Sequence, residues 1–150
     1  MRLKTWLAKG ALRTHKPSRK EIASLLALAD RSLADAGIGG LSAEGRFQFA
    51  YNAALTMATV ALHAAGYRTN SNAPGHHAIT VESIEHTFGA DAALVRKFDG
   101  FRRKRNRVSY DAPAAVSEPE VAEILALARQ LRRDVEAWLR AKHAALLDSN

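Results

Sequence analysis

Apolar residues recur three and four positions apart along most of the chain, which is the spacing of amphipathic α-helices. In the first half, this pattern predicts a short N-terminal helix followed by two longer ones. The second helix begins at Ser18, which has capping-box spacing to Glu21, and ends at Gly37. The third runs from Ser42 to Gly66. The apolar stripe of the first helix consists of Leu3, Trp6, Leu7 and Ala11.

The segment between Ser42 and Gly66 is the longest periodic segment of the first half, and it is rich in alanine. Small side chains let neighbouring helices approach closely. We therefore expect this helix to lie at the centre of a bundle.

The second half of the chain predicts three more helices. Residues 67–75 have the composition of a loop. A cap at Thr80 is expected to begin a short helix through Phe88, and the helical pattern then resumes and continues to about Tyr110. Ser117 begins a long final helix with a second capping-box sequence. No segment alternates between apolar and polar residues, so no β-strand is expected.

These elements predict an all-α fold, an up-and-down bundle of four or five helices in one domain spanning residues 1–150. Residues 1–16 form a basic N-terminal helix or arm, and residues 17–147 form the bundle. No apolar run approaches the roughly 18 residues of a membrane span, and the N-terminus lacks the apolar region of a signal peptide. We therefore expect a cytoplasmic protein that does not contact membranes.

Several classes of chemistry find no support in the sequence. The chain contains no cysteine, which excludes disulfides, thiolate nucleophiles and Cys-based zinc sites. The histidines lack metal-binding spacing, since His76 and His77 are adjacent and His63 has no partner three or four residues away. The glycines at 37–40 are not followed by the Lys-Ser/Thr of a phosphate loop. We therefore expect neither a metal nor another cofactor.

The formal net charge of +7 is unevenly distributed. Residues 1–20 carry seven Lys and Arg with no Asp or Glu, and residues 96–107 carry seven Lys and Arg with one Asp. The remainder of the chain is therefore acidic. Two basic patches on an acidic body suggest a polyanionic partner, with nucleic acid the first candidate. The simpler alternative is a solvated basic face without a partner.

The second basic patch combines its positive charge with an amide and a phenol. In a helix, side chains four residues apart lie on one face, so this patch contains two polar rows. The first row is Arg102, Asn106 and Tyr110, and the second is Arg103 and Arg107. A helix with this much charge needs a charged partner or water around it. The patch therefore suggests a binding face.

Residues 105–111, Arg-Asn-Arg-Val-Ser-Tyr-Asp, resemble the signature region of the HEPN superfamily. Residues 46–55 resemble the central helix of that family, in which an Arg precedes a Tyr-x-Ala run. Residues 64–68 and 75–80 resemble the loop and the next helix of the branch allied to nucleotidyltransferase partners. Together the resemblance covers roughly residues 20–140.

This resemblance implies an all-α bundle and a choice of functions. Many members are metal-independent RNases or toxins in toxin–antitoxin and anti-phage modules, and they dimerise so that two motifs line one cleft. In those members the RNA 2′-hydroxyl attacks the phosphate, Arg holds the phosphate, and His moves protons. Other members lack activity and dock partners, often beside a nucleotidyltransferase. The resemblance therefore implies a homodimer whose ligand is RNA or a nucleotide.

The chain departs from the RNase pattern at one position, because Tyr110 stands where the family motif has His. A phenol, with a pKa of about 10 against roughly 6.5 for imidazole, is a poor base at neutral pH, although it can donate a hydrogen bond. The expected catalytic residues are Arg105, Asn106 and Tyr110, and the expected nucleic-acid-binding residues are Arg102, Arg103, Lys104 and Arg107. The expected accessory residues are Arg46, His76, His77 and Asp111.

The expected function is RNA or nucleotide binding by the toxin-like or degenerate RNase component of a toxin–antitoxin or defence module. One alternative is a non-enzymatic module that docks a nucleotidyltransferase partner, and another is a DNA-binding helical protein. Each candidate also has a purely structural alternative. Arg46 could form a salt bridge across the bundle, Tyr110 could anchor a helix end, and the two adjacent histidines could cap or pack a helix.

Overall fold

The computed structural model describes residues 2–110 and 116–147, and for residues 107–110 it describes only the backbone. The described residues form six α-helices, two short β-strands and a final 3₁₀ turn. In chain order these are α1 (Arg2–Ala8), β1 (Leu12–Thr14), α2 (Arg19–Ala36), α3 (Ala43–Ala64), β2 (Tyr67–Thr69), α4 (His76–Ser83), α5 (Ala92–Tyr110), α6 (Glu118–Lys142) and the turn Ala144–Leu146. The prediction of an all-α helical bundle is confirmed.

Serine N-caps begin helices α2, α3 and α6, at the positions that the sequence predicted. The Ser18 hydroxyl accepts the backbone N–H of Glu21 at 3.1 Å, and Ser42 does the same for Gly45 at 3.0 Å. At the start of α6 the capping box is complete, because the Ser117 backbone N–H also donates to the carboxylate of Glu120 at 3.0 Å. Each cap satisfies backbone N–H groups that the first turn leaves without a helical partner.

Helix α3 is the central helix of the bundle, as its alanine-rich pattern predicted. It packs along most of its length against α2 and α6, and it also contacts α4, α5 and β2. Eleven of its 22 residues are buried, among them the large side chains of Phe47, Tyr51 and Met57. The alanines between these side chains allow α2 and α6 to approach closely.

The two strands overturn the expectation that the chain contains no strand. Strands β1 and β2 pair antiparallel, with Leu12 opposite Thr69 and Thr14 opposite Tyr67. Each strand has only three residues, which is too short for an alternating pattern to be visible in the sequence. The pairing joins segments on either side of α2 and α3, so it depends on how those helices are packed.

The N-terminal helix is shorter than the apolar stripe predicted. Helix α1 ends at Ala8, so Ala11 lies beyond it, because Gly10 adopts a left-handed conformation with φ of 81° that interrupts the helix. The side chains of α1 and β1 form a second, smaller apolar cluster against the end of α3. Its buried members are Leu3, Trp6, Leu12 and Leu62. The N-terminal segment is thus packed onto the bundle.

The short fourth helix begins earlier than predicted. It starts at His76, directly after Gly75, whose φ of 73° is left-handed. Thr80 was expected to be the N-cap, but it lies inside α4, where its hydroxyl donates to the carbonyl of His76 at 2.9 Å. The helix also ends at Ser83 and does not reach Phe88. This earlier start brings both adjacent histidines into the first turn of α4.

Within the described part of the chain, no helix is long and apolar enough to cross a membrane.

Candidate nucleic-acid interface

Helix α5 carries most of the predicted site, and two aromatic residues fix its orientation. Phe98 is fully buried and Phe101 nearly so. Their rings meet α3 edge-to-face, with centroids 6.2 Å apart for Phe98 and Tyr51 and 6.0 Å apart for Phe101 and Phe47. Such contacts favour one rotation of the helix about its axis. The basic side chains between and after the phenylalanines are thereby divided among the core boundary, a cleft and the open surface.

Arg105 lies at the core boundary, one turn after Phe101. Its guanidinium carbon is 6.0 Å from the centroid of the Tyr51 ring, which is the outer limit of a cation–π contact. Burial raises the pKa of the Tyr51 phenol, although the positive charges of Arg105 and Arg102 act in the opposite direction. Tyr51 is therefore a neutral phenol beneath the basic helix. Sequence analysis predicted no role for it in the site beyond its place in the central helix.

One carboxylate organises the next two arginines. Arg102 donates through Nε to one oxygen of Asp99 at 2.8 Å, and Arg103 lies 2.9 Å from the other oxygen. Burial raises the pKa of Asp99, but the hydrogen bonds and charges of the two arginines outweigh this and lower it below its usual value. Asp99 was not among the predicted site residues. Its spacing of three and four residues from the arginines was the signal that could have identified it.

Lys104 points toward α6. Its ammonium group lies 3.2 Å from a carboxylate oxygen of Glu120, and its side chain is mostly buried. By contrast, the side chain of Arg103 is 63% exposed. Of these two predicted phosphate ligands, Arg103 is therefore the more accessible to a partner.

A cleft of about 380 Å³ lies between the start of α4 and the middle of α5. Its lining residues are Gly75, His76, His77, Ala78, Arg102 and Asn106. Four of these six were predicted as site residues from the sequence, which could not place the two histidines relative to the basic helix. The structure brings an imidazole pair, a guanidinium and an amide to one opening.

The two imidazole rings are close to each other, with centroids 4.3 Å apart. Desolvation by the neighbouring residues lowers the pKa of His77, and the positive charges of His76, Arg105 and Arg102 lower it further. His77 is consequently neutral at neutral pH and can accept a proton. Imidazole, which the basic motif itself lacks, is thus present in this cleft.

Three predicted site residues lie partly or wholly outside the described structure. Tyr110 is the last residue of α5 and follows Asn106 by one helical turn, but its side chain and that of Arg107 are outside the described residues. Asp111 lies outside them entirely. Their expected roles remain predictions.

Arg46 is not part of the cleft. Its guanidinium forms a salt bridge with Glu118 in the first turn of α6, and this hydrogen bond raises the pKa of Arg46 and lowers that of Glu118. The salt bridge joins α3 to α6 across the bundle. Arg46 therefore forms the salt bridge across the bundle that was the structural alternative to a role in the site.

A wider depression of about 570 Å³ runs along the exposed side of α2. It is lined by Arg19, Lys20, Ala23, Ser24 and Ala27. This surface offers two flexible cations and small side chains, without a general base or an amide. The cleft between α4 and α5 is therefore the better candidate for a functional site.

No protein-family model matches the chain, and neither a curated protein nor a solved structure matches it in the corresponding searches. What bears on function is therefore the set of residues in the cleft and the resemblance noted for residues 46–55, 64–68, 75–80 and 105–111.

Proposed function

We propose that this chain is a HEPN-like protein that binds RNA or a nucleotide at the cleft between α4 and α5. The observation that carries the proposal is that His76 and His77 line the same opening as Arg102 and Asn106. A cationic opening with a neutral imidazole combines the two requirements of metal-independent RNA cleavage, a phosphate ligand and a general base.

Arg102 has the geometry of a phosphate ligand. Asp99 holds its Nε at 2.8 Å, and the four N–H bonds of the two Nη atoms are the ones suited to paired contacts with phosphate oxygens. A side chain fixed in this way loses less conformational freedom when a ligand binds. Asp99 therefore acts as a positioning residue, and it offsets part of the positive charge of α5 in the absence of RNA.

His77 is suited to take a proton from the RNA. In the proposed reaction the 2′-hydroxyl oxygen bonds to the adjacent phosphorus while His77 accepts the hydroxyl proton. The bond from phosphorus to the 5′-oxygen breaks, and that oxygen takes a proton from an acid, for which His76 and the Tyr110 phenol are the candidates. The products are a 2′,3′-cyclic phosphate and a 5′-hydroxyl. Asn106 would hydrogen-bond the phosphate or sugar.

The family resemblance extends this proposal to assembly and context. A homodimer would bring two clefts and two basic helices together, in keeping with a toxin-like or degenerate RNase of a toxin–antitoxin or defence module in the cytoplasm. Its partner would be a nucleotidyltransferase antitoxin. If the cleft binds without cleaving, the same surface serves as a non-enzymatic docking module.

Binding of a labelled single-stranded RNA, measured by fluorescence anisotropy over a range of salt concentrations, tests the phosphate contacts. Affinity should fall with salt, with a slope of about 0.7 per phosphate contacted. Arg102→Ala should weaken binding and lower this slope by about one contact. Lys142→Ala, at the exposed end of α6, is the matched control and should change neither. Equal effects of both variants, or binding that is independent of salt, would contradict the proposed site.

Cleavage of the same RNA in the presence of a chelator separates the enzyme from the docking module. His77→Ala should abolish cleavage and retain most of the binding, because a base acts only in the reaction. His143→Ala is the control. Its ring packs against Trp138, with the ring centroids 4.6 Å apart, and neither residue lines the cleft. RNA binding without any cleavage by the wild type would favour the non-enzymatic alternative.

A further inference from the structure

Three side chains from three different elements meet where the N-terminal segment joins the bundle. His15 follows β1, Glu21 lies in the first turn of α2, and His63 lies in the last turn of α3. Nε2 of His15 is 2.8 Å from both carboxylate oxygens of Glu21, and Nδ1 of His63 is 3.2 Å from one of them. The cluster is separate from the cleft between α4 and α5, with which it shares no residue.

The Glu21 carboxylate points toward the histidines although its position in the helix favours another partner. Glu21 is the third residue of α2 after the Ser18 cap, as Glu120 is in α6 after Ser117. In α6 the carboxylate completes a capping box with the serine. In α2 the serine still caps the Glu21 backbone N–H, but the carboxylate lies between the two imidazoles. Its position is therefore set by the tertiary cluster.

We propose that His15, Glu21 and His63 form a binding site for a divalent transition metal, with Zn²⁺ the ion that best fits the donors. Two imidazole nitrogens and one carboxylate are a frequent three-ligand set for zinc, with bonds of about 2.0–2.2 Å. Donors on a tetrahedral ion of that size lie about 3.4 Å apart. The three donor atoms already lie within 4.8 Å of one another, so binding requires side-chain adjustments of a few tenths of an ångström to about one ångström.

The surroundings leave room for a fourth ligand from solvent. The side chains of His15, Glu21 and His63 are 20%, 29% and 18% exposed, so the ion has access from water. The positive charge of Arg68 on β2 acts on His63 and weakens cation binding there. The bound ion would link the end of β1 to α2 and α3, and its effect is to secure the N-terminal segment on the bundle.

Metal-free full-length protein titrated with Zn²⁺ by calorimetry tests the proposal, and visible absorption of bound Co²⁺ reports the coordination geometry. One ion per chain is expected. Loss of an outer-shell partner lowers metal affinity roughly 10- to 100-fold, so Glu21→Gln and His63→Ala should each lower it by more than about 100-fold. Glu21→Gln nearly keeps the shape of the side chain while removing its negative charge, and circular dichroism checks that each variant is folded.

The double variant His76→Ala/His77→Ala is the matched control, since it removes the two histidines that are neighbours in the sequence and leaves the proposed ligands intact. It should bind Zn²⁺ as the wild type does, and the thermal midpoint of both should rise with Zn²⁺. Absence of stoichiometric binding by the wild type overturns the proposal. So does affinity that is lost in the control but kept in Glu21→Gln and His63→Ala.

Discussion

Replacement of Asp99 by Asn tests how the basic helix is held together. The substitution removes one negative charge while nearly preserving the shape of the side chain. In the wild type this carboxylate receives Arg102 at 2.8 Å and Arg103 at 2.9 Å, and its side chain is 23% exposed. Asp99→Asn therefore breaks two charge-assisted contacts and leaves two neighbouring guanidinium groups without their shared counter-charge.

The expected loss of stability is about 1 kcal/mol at pH 7. A hydrogen bond to a charged group contributes roughly 1.5–3 kcal/mol, but exposed ion pairs contribute about 0–1 kcal/mol. Because the side chain of Arg103 is 63% exposed, the expected loss lies closer to the value for exposed ion pairs than to the value for hydrogen bonds to charged groups. Urea denaturation followed by circular dichroism measures the difference. Glu123→Gln is the matched control, because Glu123 is exposed on α6 and should change stability by less than about 0.5 kcal/mol.

The pH dependence of this difference has a definite sign. Because the pKa of Asp99 is lowered in the folded state, its contribution is fully present above the unfolded value of about 3.9. It is lost as the pH falls through the lowered folded pKa. The wild type and Asp99→Asn should therefore converge in stability under acid conditions. A constant difference down to acid pH would refute the role assigned to this carboxylate.

RNA affinity provides a sharper test, because two explanations predict opposite signs. If net charge alone governed binding, removal of an acid would strengthen it. If Asp99 holds Arg102 in position, Asp99→Asn should weaken binding by about fivefold, which corresponds to roughly 1 kcal/mol. Tighter binding by Asp99→Asn, with Glu123→Gln unchanged, would contradict the positioning role.

Three further predictions concern the motif, the assembly and the helix caps. Tyr110→His introduces imidazole where the HEPN motif has His and should raise RNA cleavage, whereas Tyr110→Phe should retain the fold and most of the binding. Cleavage by Tyr110→His no faster than that of the wild type would contradict the first expectation, and loss of RNA binding by Tyr110→Phe would contradict the second. The chain should be a homodimer by light scattering at high salt, where repulsion between basic helices is screened, and a monomer at all salt concentrations would contradict this. Ser117→Ala should destabilise the fold by about 1 kcal/mol in thermal denaturation because it removes a complete capping box, while Ser71→Ala, at an exposed position between β2 and α4, should have little effect.

The sequence by itself determined most of the helices. Their start positions follow from short-range chemistry, since the Ser18, Ser42 and Ser117 hydroxyls each bond a backbone N–H three residues later. Their apolar faces follow from helical spacing. The central place of α3 also followed from its own composition, because alanines permit close approach on more than one side.

Local sequence was less informative where glycine and short strands decided the geometry. Gly10 and Gly75 adopt left-handed conformations that shorten α1 and move the start of α4 to His76. A glycine in a sequence is compatible with several conformations. The three-residue strands carry too little pattern to be recognised, and they exist because the packed helices bring their segments together.

Only the tertiary structure decided which side chains form a site. Arg46 and Arg105 both belonged to family-like motifs, yet Arg46 meets Glu118 and Arg105 lies over Tyr51. Likewise, nothing in the spacing of His15, Glu21 and His63 showed that they would meet, and His77 joined Arg102 only through the packing of α4 on α5. Capping and periodicity act within a few residues of one chain segment, whereas a site depends on the relative positions of several packed elements.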